Sequence, residues 1–264
     1  MPNSLFSPLG LVVLLSDFGL ADPYVGILHG VLAKSAASVR VIDLGHGVPP
    51  QDVLTAAFFL AHSRAYFPQG TLFVAIVDPG VGSQRRVLAA HDAGQLLLAP
   101  DNGLLAPSLG PGALLRAVDV VRHVGEPSSR TFHGRDVFCP LAARLASGGL
   151  RFEELGPPID DAHRLEFARV HRADGRIEGL VLLADGFGNL ITNVRPSDLG
   201  AEPRSWRARI GSHELAWTDC YAQAPAGRPS ILVNSYGCLE VAIAGGSARE
   251  SLGVGVGAVI EFER

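Results

Sequence analysis

Through its first 165 residues the chain alternates short apolar runs with helix-compatible stretches, and from about Arg172 that alternation stops. A change of texture of this kind constrains the fold strongly. Alternating β and α segments bury a parallel sheet between helices, whereas closely spaced β-branched runs close on one another. In the first part the strand-like runs are residues 11–15, 39–42, 72–77, 96–98 and 117–121; the helix-compatible stretches are 23–34, 52–66 and 136–146. Pro49-Pro50 followed by Gln51-Asp52 marks a helix start, and Gly70 ends the loop before the next strand. In the second part, residues 177–183, 190–193, 206–210, 215–218, 231–234, 239–243 and 259–262 are short, β-branched and punctuated by Gly, Asn and Pro. The expected class is α/β. It comprises an N-terminal domain over 1–165, a mostly parallel sheet flanked by helices, and a C-terminal domain over 172–264, a smaller antiparallel β-barrel or sandwich, with Gly156-Pro157-Pro158 opening the linker region.

Composition narrows the function. With 264 residues, 47% hydrophobic and 18% charged, the chain is a soluble globular protein with ample core. Its formal net charge of −4 and the lack of a basic run speak against nucleic acid as a partner. Cys139, Cys220 and Cys238 are far apart and form no C-x-x-C pair, which argues against a disulfide framework or a zinc site and for a cytoplasmic location. The run at 9–15 resembles a signal-peptide core, but no Lys or Arg precedes it and Ser16-Asp17-Phe18-Gly19 follows, so it is expected to be the first strand. No run is long enough to span a bilayer, and no membrane partner is expected.

Polar clusters fall where those strands end. Val77-Asp78-Pro79-Gly80-Val81-Gly82 places a carboxylate at the end of an apolar strand, where ligands of open α/β sheets collect, and the glycine turn is expected to return Arg85 and Arg86 toward it. A structural ion pair closing the turn is the alternative. Asp17, after the first strand, suits the two hydroxyls of a ribose or the cap of the next helix. Asp17-Phe18-Gly19 also occurs in protein kinases, but no Gly-rich loop, strand lysine or H-R-D accompanies it. His133, in Thr131-Phe132-His133-Gly134-Arg135-Asp136, is available for acid/base work or serves as a turn hydrogen-bonder, and Asp136 is a candidate helix cap. Pro100-Asp101-Asn102-Gly103 reads as a turn. In Asp185-Gly186-Phe187-Gly188-Asn189, glycines flank a ring able to stack on a heterocycle and Asn189 can read a base edge; the alternative is a hairpin turn with a half-buried Phe. Asn234-Ser235-Tyr236-Gly237 is a second polar turn, able to hold an amino acid's charged groups or to close a hairpin.

Taken in order, these segments, with Tyr24-Val25-Gly26, His46-Gly47-Val48-Pro49-Pro50-Gln51-Asp52 and Tyr66-Phe67-Pro68-Gln69-Gly70-Thr71, resemble the S-adenosyl-L-methionine hydroxide adenosyltransferase family over nearly the whole chain. The resemblance implies hydrolysis of S-adenosyl-L-methionine (SAM) to adenosine and L-methionine, without a metal or other cofactor. It also implies a homotrimer that binds SAM between the N-terminal domain of one subunit and the C-terminal domain of its neighbour. By the same resemblance Asp78, Arg85 and His133 handle the attacking water. Asp17 takes the ribose, Phe187 and Asn189 the adenine, and Asp185, Ser235 and Tyr236 the methionine.

The chemistry is consistent with that set. A sulfonium is its own leaving group, so the site must supply a nucleophile and alignment rather than an acid. The related SAM-dependent halogenases have a tyrosine in place of Asp78 and lack the His133 counterpart. A non-catalytic SAM or adenosine sensor would need Asp17, Phe187 and Asn189 but not Asp78, Arg85 and His133 together. A metal phosphohydrolase would need an H-x-H or H-D pair, which is absent.

Overall fold

The structure, a computed structural model, describes residues 5–264; the first four residues of the expected 1–165 domain lie outside the described residues. Two compact units are present, one ending at Glu166 and the other Phe167–Arg264.

The first unit runs β1 (Leu11–Ser16), α1 (Tyr24–Ser35), β2 (Arg40–Gly45), α2 (Val53–Ser63), β3 (Thr71–Ile76), β4 (Val87–Asp92), β5 (Gln95–Pro100), β6 (Leu114–Ala117), α3 (Val120–Val124) and α4 (Cys139–Ala146). Its strands make one sheet in the order β2-β1-β3-β5-β4-β6. The first four are parallel, and β4 runs antiparallel to both β5 and β6. Helices cover both faces, which explains why residues 11–15 of β1 and 72–76 of β3 are apolar without a break instead of alternating. Val12 and Leu14 pack on one side with Leu28 and Leu32 of α1 and Leu141 and Leu145 of α4. Leu11, Val13 and Leu15 pack on the other with Ala56 and Leu60 of α2. Each buried Leu or Val contributes roughly 1.5–3 kcal/mol, so the rim at the strand ends rests on a stiff core.

Two local expectations are corrected. Residues 117–121 do not form a strand: β6 ends at Ala117, and the Asp119 side chain accepts the Arg122 N–H at 3.2 Å, capping the short α3. The helix expected over 136–146 begins earlier, with a π-helical turn over Gly134–Phe138 leading into α4. Strand β4 escaped the sequence reading because Ala89 and Ala90 lower its β-propensity, although it is buried between β5 and β6.

The second unit runs β7 (His171–Ala173), β8 (Arg176–Ala184), β9 (Leu190–Thr192), β10 (Arg207–Ile210), β11 (His213–Trp217), β12 (Pro229–Val233), β13 (Leu239–Ile243), α5 (Ala248–Leu252) and β14 (Val259–Glu263). The order β14-β10-β11-β12-β13-β9-β8 closes through a β14–β8 pairing, giving a barrel with β7 added at β8. The sandwich alternative is thereby excluded. The barrel is not wholly antiparallel: β11 and β12 are parallel, because the 218–228 connection crosses over instead of turning as a hairpin. Ile210, Leu215, Ile231, Val241, Ile260 and Phe262 fill the interior. On β13 the period-two alternation sends Leu239, Val241 and Ile243 into that core and leaves Glu240 on the other face.

Candidate active site

At the end of β3 the chain turns through Pro79 to Gly82, and Gly82 is required twice over. Its φ is +78°, and a Cβ there would lie 2.6 Å from the Arg130 carbonyl oxygen. The turn returns one arginine, not two. Arg85 donates Nε–H to Asp78 Oδ1 at 2.8 Å and pairs through Nη2 with Oδ2, a bidentate contact. Arg86 diverges to Asp101 and Asp161, and the Asp101 carboxylate also accepts the His163 N–H, so this second pair is scaffolding. Asn102 is scaffolding too: its side-chain amide donates to the Val77 carbonyl at 2.8 Å, directly beneath Asp78.

His133 reaches the same cluster from the other side. It precedes the π-helical turn at Gly134, where a Cβ would meet Leu28, Phe132 and Phe18 at 3.1–3.4 Å. His133 Nδ1 lies 2.9 Å from Arg85 Nη2. A guanidinium only donates, so Nδ1 must accept, and the imidazole is neutral with its proton on Nε2. Burial, followed by the Arg85 charge, lowers the His133 pKa below its ordinary 6.5, against smaller opposing effects of Asp78 and Asp136. Asp136 is not a helix cap: it pairs with Arg135 and accepts the Ser129 N–H.

Asp17, Asp78 and His133 line one pocket of about 320 Å³, with Gln51 and an edge-packed aromatic group of Phe18, Tyr24 and Phe132. Asp17 does not cap α1, whose N-cap position is Pro23; its carboxylate accepts the Gln51 N–H at 2.8 Å.

The second unit holds its own pocket of about 580 Å³, lined by Asp185, Phe187, Asn189, Ser235 and Tyr236. Asp185 Oδ1 accepts the N–H groups of Phe187 and Asn189, each at 2.9 Å, and Oδ2 accepts from the Asn189 side chain at 3.1 Å. This carboxylate builds the turn that presents the ring. Phe187 is 82% exposed, not the half-buried residue of an ordinary hairpin, whereas Asn189 is buried. Gly188 permits the turn with φ +81°; a Cβ there would overlap Ser247. Across the pocket, Asn234 Oδ1 accepts the N–H groups of Tyr236 and Cys238 and closes the turn that carries the exposed Ser235.

Two lining residues escaped the sequence reading. Tyr221 donates its hydroxyl to Glu240 Oε1 at 2.6 Å, and Glu240 is almost fully buried. Burial raises the pKa of both groups, and their hydrogen bond raises that of Tyr221 further. The available signal was an acid inside the apolar strand Leu239-Glu240-Val241-Ala242-Ile243. With Asp185 the pocket carries two carboxylates and, among its described lining residues, no cationic side chain. No group of three or more His, Cys, Asp or Glu that could hold a metal ion occurs among the described residues.

Comparison with known proteins adds to this geometry. Residues 12–156 match the SAM hydroxide adenosyltransferase N-terminal domain, and residues 179–261 match the corresponding C-terminal domain. A protein of Thermus thermophilus named (R)-S-adenosyl-L-methionine hydrolase is 40% identical over 92% of this chain and 95% of its own length. The crystal structure of an uncharacterized conserved protein from Thermotoga maritima superposes with a TM-score of 0.85 at 30% identity, covering 96% of this chain and 100% of that one. A fluorinase of an Actinoplanes species is more distant, 24% identical over 88% of this chain and 90% of its own length. On these matches the chain belongs to the SAM hydroxide adenosyltransferase family.

Proposed function

We propose that this protein is an enzyme that hydrolyses SAM to adenosine and L-methionine, and that Asp78, Arg85 and His133 handle the attacking water. The observation that carries this reading is the Arg85 side chain joined at once to Asp78 and to Nδ1 of a neutral His133, the last two lining the pocket that also holds Asp17. Water attacks C5′, the C5′–S bond breaks with its electron pair going to sulfur, and the sulfonium becomes the neutral thioether of methionine. The departing group needs no proton; the one proton lost is that of the water, and it passes to solvent as the hydroxide forms beside Arg85. Arg85 stabilises the developing hydroxide, Asp78 holds Arg85 in register, and neutral His133 supplies a polar contact without adding a second cation. Attack of an anion on a cation neutralises charge, so exclusion of bulk water favours it.

Asp17 takes the ribose hydroxyls, Phe187 and Asn189 take the adenine, and Asp185, Ser235 and Tyr236 take the methionine portion. The excess of carboxylates in the second pocket suits a ligand that carries both a sulfonium and an ammonium. A halide nucleophile brings no proton to remove, so SAM halogenation gives the Asp78–Arg85–His133 cluster no task, and a sensor has no use for it. The assembly in this reading is a homotrimer whose subunits pair the N-terminal domain (1–165) of one copy with the C-terminal domain (172–264) of the next. The three unpaired cysteines support a cytoplasmic location. Among the described residues no helix is long and apolar enough to cross a membrane. The test is incubation of purified protein with SAM and quantitation of adenosine and L-methionine, which are expected in equal amounts.

A further inference from the structure

A second polar chain lies beside the first pocket and has no part in the reaction above. His29 of α1 contacts Asp43 of β2 through Nε2 at 2.9 Å. His46 Nε2 lies 3.0 Å from the same Asp43 oxygen, an ion-pair distance without hydrogen-bond geometry, and its Nδ1 is 2.7 Å from Ser16 Oγ. Hydroxyl, imidazole and carboxylate thus stand in the order of a nucleophilic triad. Ser16 is only 1% exposed, however, and its Oγ already accepts the Phe18 N–H at 3.3 Å. A hydroxyl so enclosed is not presented to a substrate.

What the chain does hold is the turn that carries Asp17. The His46 imidazole fixes Ser16 on one side of Asp17, and Ser16 Oγ fixes the Phe18 amide on the other. The His46 carbonyl accepts the Gly19 N–H at 2.8 Å, where the backbone has φ +66°. Asp17 itself reaches the segment that follows His46, taking the Gln51 N–H. A tautomer with its proton on Nε2, facing Asp43, leaves Nδ1 to accept the Ser16 hydroxyl and leaves the Ser16 lone pairs for Phe18.

We propose that His46, with Asp43 beside its Nε2 and acting through Ser16, is a positioning residue for the substrate, fixing the 16–19 turn so that the Asp17 carboxylate stands where it takes the ligand's hydroxyl groups. The inference rests on the assignment of Asp17 to the ribose.

The test combines steady-state kinetics on SAM, adenosine affinity by calorimetry, and backbone amide exchange across residues 16–19 in His46→Ala, His46→Asn, Ser16→Ala and Asp43→Asn. His46→Ala is expected to raise KM and the adenosine Kd about tenfold or more, leave kcat within about threefold, and speed exchange at Phe18 and Gly19. His46→Asn, whose amide can replace the Nδ1 contact, is expected to recover most of the affinity. Should the buried histidine prove indispensable for folding, Asp43→Asn, at a side chain 39% exposed, is expected to raise KM about threefold with kcat retained. Unchanged exchange at residues 16–19 would overturn the clamp. Faster exchange with unchanged KM and adenosine affinity, or a loss of kcat as large as the loss of kcat/KM, would overturn the positioning role. A wild-type protein that makes no adenosine would overturn the proposed reaction instead, and the exchange and adenosine-affinity measurements would still decide the clamp.

Discussion

Arg85 Nη2 donates to His133 Nδ1 at 2.9 Å, and this contact sets the protonation state of the site. A protonated His133 would oppose two N–H donors and two positive charges across that distance, so the arrangement persists only while the imidazole is neutral.

Activity is therefore expected to fall on acidification through a single limb whose apparent pKa lies below 6.5, the ordinary histidine value. The sign for stability is the same. The unfolded chain protonates His133 at higher pH than the folded one, so the stability this group contributes is fully present above 6.5 and is lost as pH falls through the lowered value. NMR titration of His133 checks both, and in Arg85→Gln its pKa is expected to rise toward the ordinary value. A rate profile flat through that region would contradict the requirement for a neutral imidazole.

Removing Asp78 or Arg85 alone is expected to lower kcat by at least about 100-fold, since aligned charge stabilisation of the nucleophile is lost. Both side chains are at most 10% exposed, so Arg85→Ala also leaves a buried carboxylate unpaired and is expected to cost about 3 kcal/mol in denaturant unfolding. Arg85→Lys keeps the charge but not the bidentate fork and is expected to restore stability more than rate. A lysine variant with parental kcat would show that charge alone suffices.

Binding residues are expected to separate from chemical ones. Asp17→Ala and Asn189→Ala should act mainly on SAM affinity, while His133→Ala should lower kcat by about 100-fold or more. Phe187→Ala removes a ring that is 82% exposed, so thermal stability should stay within about 0.5 kcal/mol while adenosine affinity falls by about 1–3 kcal/mol. Loss of stability with unchanged affinity would mark Phe187 as a packing residue.

Adenosine formation is expected to be unaffected by chelators, because in the proposed reaction Asp78, Arg85 and His133 handle the nucleophile. Inactivation by a chelator with recovery on adding a divalent metal would contradict this.

Much of this architecture was legible in the sequence, for identifiable reasons. The unbroken apolar runs at 11–15 in β1 and 72–76 in β3 announced strands covered on both faces, and Gly80 and Gly82 announced a turn after Asp78. The partnering of charges was less legible. Arg85 and Arg86 are adjacent and chemically identical, yet one faces Asp78 and the other Asp101 and Asp161, a division set by the backbone after Gly82. Asp119 looked like part of a strand and is a cap, because side-chain-to-backbone bonds override weak β-propensity. Tyr221 and Glu240 are distant in sequence and meet only because of strand pairing in the barrel, a relation that local patterning does not carry. The chain from His29 to Ser16 was hidden for the same reason: His29 lies on α1, Asp43 and His46 on and just after β2, and Ser16 at the end of β1.

Direct attack of water steered by Arg85 is decided by single turnover of SAM in ¹⁸O-water with mass analysis of adenosine, methionine and protein. Both Asp78 oxygens are engaged by Arg85, which sets the carboxylate as a holder rather than a nucleophile. One adenosine per methionine is expected, with the label in the 5′-hydroxyl in the first turnover. Unlabelled adenosine in that turnover with label entering Asp78 would reveal a covalent ester and contradict direct attack.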